Sequence, residues 1–178
     1  MPRNRMDAAR ITAILGLLAL LAAAFGFTWY FSSQNIVESN ASSLRITTVI
    51  MRFAAAHFTI NPGDTFWYVT LNQMIRTLAH FSEYAFVGMA LGALLYVLVR
   101  RLWLAALLST ALAPFMAYID EYHQQFSAGR SPQWFDVYID WCGAVLGIFL
   151  VLLLLAVYRR IQSLKARIRA LESPQKTE

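Results

Sequence analysis

The sequence predicts an all-α integral membrane protein: a bundle of four transmembrane helices, both termini cytoplasmic, with an outer interfacial helix between spans 1 and 2. Three observations carry this. Of 178 residues, 58% are apolar and only 14% are charged, which is far from the mix of a soluble domain of this size. The apolar residues are gathered in four runs, each near the roughly 20 helical residues needed to cross about 30 Å of hydrocarbon. The basic residues, finally, sit between and beside those runs in an asymmetric way.

Span 1 is expected at about 11–31. It follows Arg3, Arg5 and Arg10, and its Ala22-Ala23-Ala24 stretch imitates a signal-peptide cleavage site. Apolar and aromatic residues continue through Phe25, Phe27, Trp29, Tyr30 and Phe31, so a retained helix with an aromatic outer end is the better reading. The long connection that follows contains Leu44 to Phe58, where Val49, Ile50, Phe53, Ala54, His57 and Phe58 recur at helical spacing. That predicts a helix lying on or dipping into the outer surface, ended by a turn at Asn61-Pro62-Gly63-Asp64.

Spans 2, 3 and 4 are expected at about 77–99, 102–119 and 135–157. Residues 1–158 then form one membrane domain and 159–178 a basic cytoplasmic tail. In the tail Ile161, Leu164, Ile168 and Leu171 make an apolar stripe among Arg and Lys, a juxtamembrane amphipathic helix that suits an anionic lipid surface or a coiled-coil partner. The end, from Ser173, reads as disordered.

Orientation follows from charge. The N-terminal segment, the Arg100-Arg101 turn and the tail hold eleven of the fifteen Lys and Arg residues, against only Asp7, Glu172 and Glu178 among the acids. Such segments resist translocation and are placed in the cytoplasm. The rest carries Arg45, Arg52, Arg76 and Arg130 against seven acids. Trp29, Trp67, Tyr68, Tyr118, Tyr122, Trp134 and Trp141 supply an outer aromatic belt, and Trp103 and Tyr158 mark the inner boundary. The net charge of +5 is therefore accounted for by topology, and nucleic-acid binding is set aside. Cys142 has no second cysteine to pair with and lies in an apolar run, where it reads as inert packing.

An ionisable group inside a bilayer costs about 2.5 to 3.5 kcal/mol on insertion scales, so each needs a partner, water or a function. Counting at ~1.5 Å per residue, Glu83 lies about 26 Å above Arg100, Asp120 about 29 Å above Arg101 and Asp140 about 29 Å above Arg159. His80 and Glu121 reach the same level, so three helices deliver polar groups to one depth. Arg76, His80 and Glu83 share a face by i, i+4, i+7 spacing. Asp136, Asp140, Gly143 and Gly147 form a stripe on span 4, whose glycines let another backbone approach. Asp120 and Gln124 share a face of span 3, with Glu121 beside them. In the turn after span 3, Gly129 suits a tight bend and leaves Arg130 as the cation nearest a ring of acids, where its planar fork can clamp two carboxylates or a ligand's phosphate.

Arg130 with Asp136 or Glu121 reads equally as a clamp for the hairpin. Seven ionisable groups at one level (His80, Glu83, Asp120, Glu121, Arg130, Asp136 and Asp140) exceed what packing two hairpins requires. They favour a pocket open to the outer leaflet.

The run Asp120-Glu121-Tyr122-His123-Gln124-Gln125-Phe126, then Gly129-Arg130, Asp136-Val137 and Asp140 with Gly143-Ala144 and Gly147, resembles the signature of the VanZ-like membrane protein family. Phe31-Ser32-Ser33-Gln34 and Ile75-Arg76 with Ala79-His80-Phe81 and Glu83-Tyr84 echo it in the first two spans. Ala128 stands where the family often has proline, Thr77 where a second basic residue is common, and Asp140 where asparagine is frequent. The resemblance implies a protein of the bacterial cytoplasmic membrane and cell envelope, in a family whose namesake is linked to resistance to teicoplanin-type glycopeptides. It points to His80, Glu83, Asp120, Glu121, Gln124, Arg130 and Asp136 as the residues that matter, with Asp140 in a variant role.

Three functions stay open at this point. The first is recognition of a lipid-linked cell-wall precursor or glycopeptide from the outer leaflet. The second is a membrane-embedded enzyme, with carboxylates and His80 dividing acid and base roles; His80, Glu83 and Asp120 would be its candidate ligands for a divalent metal, although no nucleophile motif accompanies them. The third is ion-coupled transport, disfavoured because the inner halves of the spans are nearly uncharged. Membrane lipids are expected partners in each case, no cofactor is required, and a homo-oligomer is left open.

Overall fold

The computed structural model describes residues 3–58, 61, 64–127 and 132–172. These form helices α1 (Arg3–Ser32), α2 (Ile36–His57), α3 (Thr65–Val99), α4 (Leu102–Gln124) and α5 (Trp134–Glu172), with no strand among the described residues. All but α2 are long and apolar enough to cross a membrane, as the four apolar runs predict. Helix α2 occupies the connection where an interfacial helix is expected.

Helix α2 is longer than its apolar periodicity suggests, starting at Ile36 rather than Leu44. Asn35 accepts the Glu38 N–H at 2.9 Å, and Glu38 Oε2 accepts the Asn35 N–H at 3.4 Å, a reciprocal cap that satisfies two end donors. Serine and threonine are poor helix formers, but here their hydroxyls bond within the helix, Thr47 Oγ1 to the Ser43 carbonyl at 2.9 Å and Thr48 Oγ1 to that of Leu44 at 2.7 Å. Thr47 also reaches Asn72 Oδ1 at 3.3 Å, and Thr48 meets the Tyr68 hydroxyl at 2.7 Å. These bonds dock α2 on the first turns of α3.

Those turns are the second departure from expectation. Helix α3 begins at Thr65, capped by Asp64, whose carboxylate accepts the Phe66 N–H at 2.9 Å. Its 35 residues give a rod of about 52 Å, well beyond the hydrocarbon thickness of about 30 Å. The first dozen residues therefore stand above the span predicted from Thr77, with α2 packed on them. At the other end Arg100 takes a left-handed conformation, φ 60° and ψ 14°, and its N–H closes on the Tyr96 carbonyl at 2.8 Å. That cap lets α4 start at once. The turn segment 62–63 lies outside the described residues.

The core is built on small residues. Helices α3 and α5 make the most extensive contact in the bundle, and glycines bring them together. A Cβ on Gly88 would sit 2.7 Å from the carbonyl carbon of Ala144, one on Gly147 2.7 Å from that of Ala85, and one on Gly143 3.0 Å from that of Phe81. The glycine stripe expected on span 4 thus faces α3, which answers with Gly88. Ala105, Ala113 and Ala117 of α4 complete the core with Tyr84, Ala144, Ile148 and Leu152.

Pro114 interrupts α4 and removes the N–H that the Thr110 carbonyl would accept in a regular helix. The Trp141 indole supplies the missing donor at 3.2 Å. Trp141, expected in the aromatic belt, thus ties α5 to α4. Helix α1 is largely exposed along its apolar length, and polar contacts hold it at both ends, the lower being Arg10 Nη2 to the Leu98 carbonyl at 2.9 Å. Beyond Tyr158, α5 continues unbroken to Glu172 with Ile161, Leu164, Ile168 and Leu171 exposed. The segment from Ser173 lies outside the described residues.

Candidate functional site

The polar residues gather at the end of the bundle where α1 finishes and α5 begins, and they divide into two groups. The first is held by hydrogen bonds and ring stacking, although Asp120 Oδ1 and His123 Nδ1 have no hydrogen-bond partner among the described residues. Ser32, at the last turn of α1, donates to Asp120 Oδ2 at 2.6 Å and accepts from Gln124 Nε2 at 3.3 Å. Beside it the Trp29 indole stacks on the His123 imidazole, with ring centroids 3.9 Å apart. One turn further on, the Ser127 hydroxyl reaches the Ser33 carbonyl at 3.3 Å. Glu121 turns toward α5, where its Oε1 accepts the Gln133 N–H at 2.7 Å and places a carboxylate at the helix N-terminus. Ser32, Asp120, Glu121 and Gln124 are all buried. This group fastens α1 and α5 to the C-terminal end of α4.

The second group is unbonded. Asp140 is 1% exposed, yet its Oδ1 has no hydrogen-bond partner among the described residues, and neither do Glu83 Oε2 or Arg76 Nε. Leaving a buried polar atom unsatisfied costs about 1 to 3 kcal/mol, more when charged, so three in one neighbourhood is a costly arrangement. Asp140 also lies within electrostatic range of Asp120, Asp136, Glu121 and Glu83. The fully buried Tyr84 faces the same carboxylates and offers its hydroxyl to the Met116 carbonyl at 3.4 Å.

Two cavities adjoin these groups. An inner one of about 30 Å³ is lined by Arg76, His80, Gln124, Asp136 and Asp140. An outer one of about 170 Å³ runs between α1, α2 and α3 and is lined by Arg76, His80 and Glu83, with Phe31, Ile46 and Ile75 as apolar wall. They meet at Arg76 and His80. A third hollow, of about 140 Å³, holds Glu121 with Tyr118, Tyr122 and Trp134.

Of the residues expected from sequence, Arg76, His80, Gln124, Asp136 and Asp140 share the inner cavity, Glu83 lines the adjoining groove, and Asp120 and Glu121 serve as fasteners. Arg130 lies outside the described residues. Among those described, no three His, Cys, Asp or Glu side chains are grouped as a metal site, so His80, Glu83 and Asp120 do not assemble as a ligand set. Ser32 and Trp141 were not marked as contact residues by the sequence. Ser32 stands out in the sequence only through the Phe31-Ser32-Ser33-Gln34 echo of the family signature and Trp141 only as a member of the aromatic belt, and neither signal names a partner.

Four membrane-crossing helices with a buried polar centre at one end define a multi-pass membrane protein. The chain belongs to the VanZ/LLP1 family, whose model matches residues 17–155. That range runs from within α1 to within α5, includes every residue of the site, and stops short of the basic tail. No curated protein and no solved structure matches the chain.

Proposed function

We propose that this VanZ-like protein acts in the bacterial cytoplasmic membrane, with its termini in the cytoplasm, and recognises the polar head of a lipid-linked cell-wall precursor or of a lipid-bearing glycopeptide from the outer leaflet. The observation that carries this reading is the unbonded half of the cluster: Asp140, Glu83 and Arg76 line two neighbouring cavities with buried atoms that have no partner among the described residues. A clamp would pair those charges with one another. Groups held apart by helix packing, each with an unsatisfied atom, instead favour an incoming ligand that supplies the missing donors and acceptors. The bonded half holds the rims of the cavity in place, and Arg130 is a further candidate contact on the strength of the family signature.

The test is glycopeptide susceptibility in a host lacking its own copy. Wild-type protein raises the minimal inhibitory concentration of teicoplanin, whereas Asp140→Asn, Arg76→Gln and Arg130→Ala, each present in the membrane at wild-type level, do not. Full resistance in all three variants would sink the proposal.

A further inference from the structure

We infer that the head recognised at this site is zwitterionic: a primary ammonium group seated against Asp140 in the inner cavity, joined to a phosphate held by Arg76 and His80. The inference rests on the preceding reading, that the site takes the polar head of an amphiphile, and names the chemistry of that head.

The inner cavity fixes the first half. Its volume of about 30 Å³ is room for one or two water-sized groups, since one water occupies about 10 to 15 Å³ by this measure. An ammonium group is of that size, while a trimethylammonium or a sugar is not. The walls carry the Asp140 carboxylate as the open acceptor, with Asp136 and Gln124 beside it. Asp140 is almost wholly buried and its Oδ1 has no partner among the described residues. An ammonium brings three donors and no acceptor, which matches what this wall lacks. Burial makes such a charge-assisted bond stronger than it would be in water.

The second half follows from what stands at the cavity mouth. Arg76 and His80 line both hollows, so a head with one charge in the chamber and the next group in the groove would lie against them. Arg76 Nε is buried without a partner among the described residues, and a guanidinium fork fits phosphate oxygens. An ammonium two carbons from a phosphate would place one charge on each side of this pair. Beyond Arg76 the groove has apolar walls at Phe31, Ile46, Ile75 and Ala79 and polar ones at Gln34, Ser39, Ser43 and Glu83, a mixed lining that suits the glycerol and first methylenes of a lipid rather than a free solute. The acidic chamber and the basic mouth together reject a purely anionic head, which would put its charge against Asp140, and a methylated one, which would not fit.

Native mass spectrometry of the full-length protein, released from micelles doped with equal amounts of phosphatidylethanolamine, phosphatidylcholine and phosphatidylglycerol of identical chains, tests this. Phosphatidylethanolamine is expected to be retained at least about tenfold over either competitor, the size of discrimination that a site built for an N–H donor readily exceeds. In Asp140→Asn that preference collapses toward parity, while Ser82→Ala, on the exposed face of α3, keeps it. Millimolar O-phosphoethanolamine leaves the bound lipid in place. Equal retention of the three lipids by wild-type protein, or an unchanged preference in Asp140→Asn with wild-type circular dichroism, would overturn the inference, and displacement by the soluble head would overturn its lipid part. A wild-type protein that confers resistance without any headgroup preference removes this inference alone, whereas the three susceptibility variants decide the broader proposal independently.

Discussion

Replacing Gly147 by alanine probes the contact on which the bundle depends. The added Cβ would lie 2.7 Å from the Ala85 carbonyl carbon and 3.0 Å from its Cα, and would overlap the carbonyl oxygen. Ordinary contact begins near 3.4 Å, so α3 and α5 must separate by at least about 0.7 Å at this level, and backbone atoms cannot move aside as a side-chain tip can. Overpacking of this kind costs about 1 to 3 kcal/mol. Gly88→Ala meets the Ala144 backbone in the same way and should cost as much. Gly92→Ala is the internal control, because its Cβ first meets the Val151 Cγ1 at 3.0 Å, a methyl that can turn away. Gly16→Ala and Gly26→Ala meet nothing within 4 Å and should gain up to about 1 kcal/mol from helix propensity. The assay is the midpoint of thermal unfolding in detergent, followed by size-exclusion recovery. A Gly147→Ala protein that melts with wild type, or a Gly26→Ala protein that loses as much as Gly147→Ala, would refute the packing argument.

Other consequences follow from the polar contacts. Ser32→Ala removes the donor to Asp120 Oδ2 and should cost about 1 to 3 kcal/mol in the same assay, with Ser32→Ala and Asp120→Asn together costing less than the sum of the two. Trp141→Phe strips the Thr110 carbonyl of its donor and should lower stability by about 1 kcal/mol; in a Pro114→Ala background, where the helix supplies that donor, the penalty should largely vanish, and an undiminished penalty would contradict the assignment. Glu121→Ala should destabilise by about 1 kcal/mol through loss of the Gln133 N–H bond while Glu121→Gln, which keeps an acceptor oxygen, is milder. A fluorescent protein fused after Glu178 should fluoresce and alkaline phosphatase fused there should be inactive, as the arginine distribution requires; active phosphatase would invert the topology.

How much of this was readable in advance depended on range along the chain. The four spans follow from hydropathy, a local property, and Arg76, His80 and Glu83 stack along α3 as i, i+4, i+7 spacing dictates. The helix limits were less legible. Asp120 and Glu121 end the hydropathic run at Ile119, but Ser32 of α1 and the Gln133 N–H each bond one of these carboxylates, and α4 carries on to Gln124. Thr65 to Arg76 reads as an aromatic, polar connection because its partner, α2, is hidden behind the serines that open it. Long-range partners were least legible. The glycine stripe of α5 announces a close neighbour without naming α3, and nothing near Ser32 in sequence indicates Asp120. The division of the cluster into bonded and unbonded residues depends on tenths of an ångström between helices, which spacing along one helix cannot carry.

The unbroken course of α5 has a mechanical consequence. Asp140 and Leu171 belong to one helix without a proline between them, so a stiff rod of about 46 Å connects the polar site to the far side of the membrane. A tilt of about 5° about the Gly143 contact with α3 sweeps the lower end, about 42 Å away, through about 4 Å, close to the width of a side chain. Crowding or emptying the space beside Asp140 acts on the short arm of this lever, and the basic, apolar-striped segment from Arg159 to Leu171 rides on the long one.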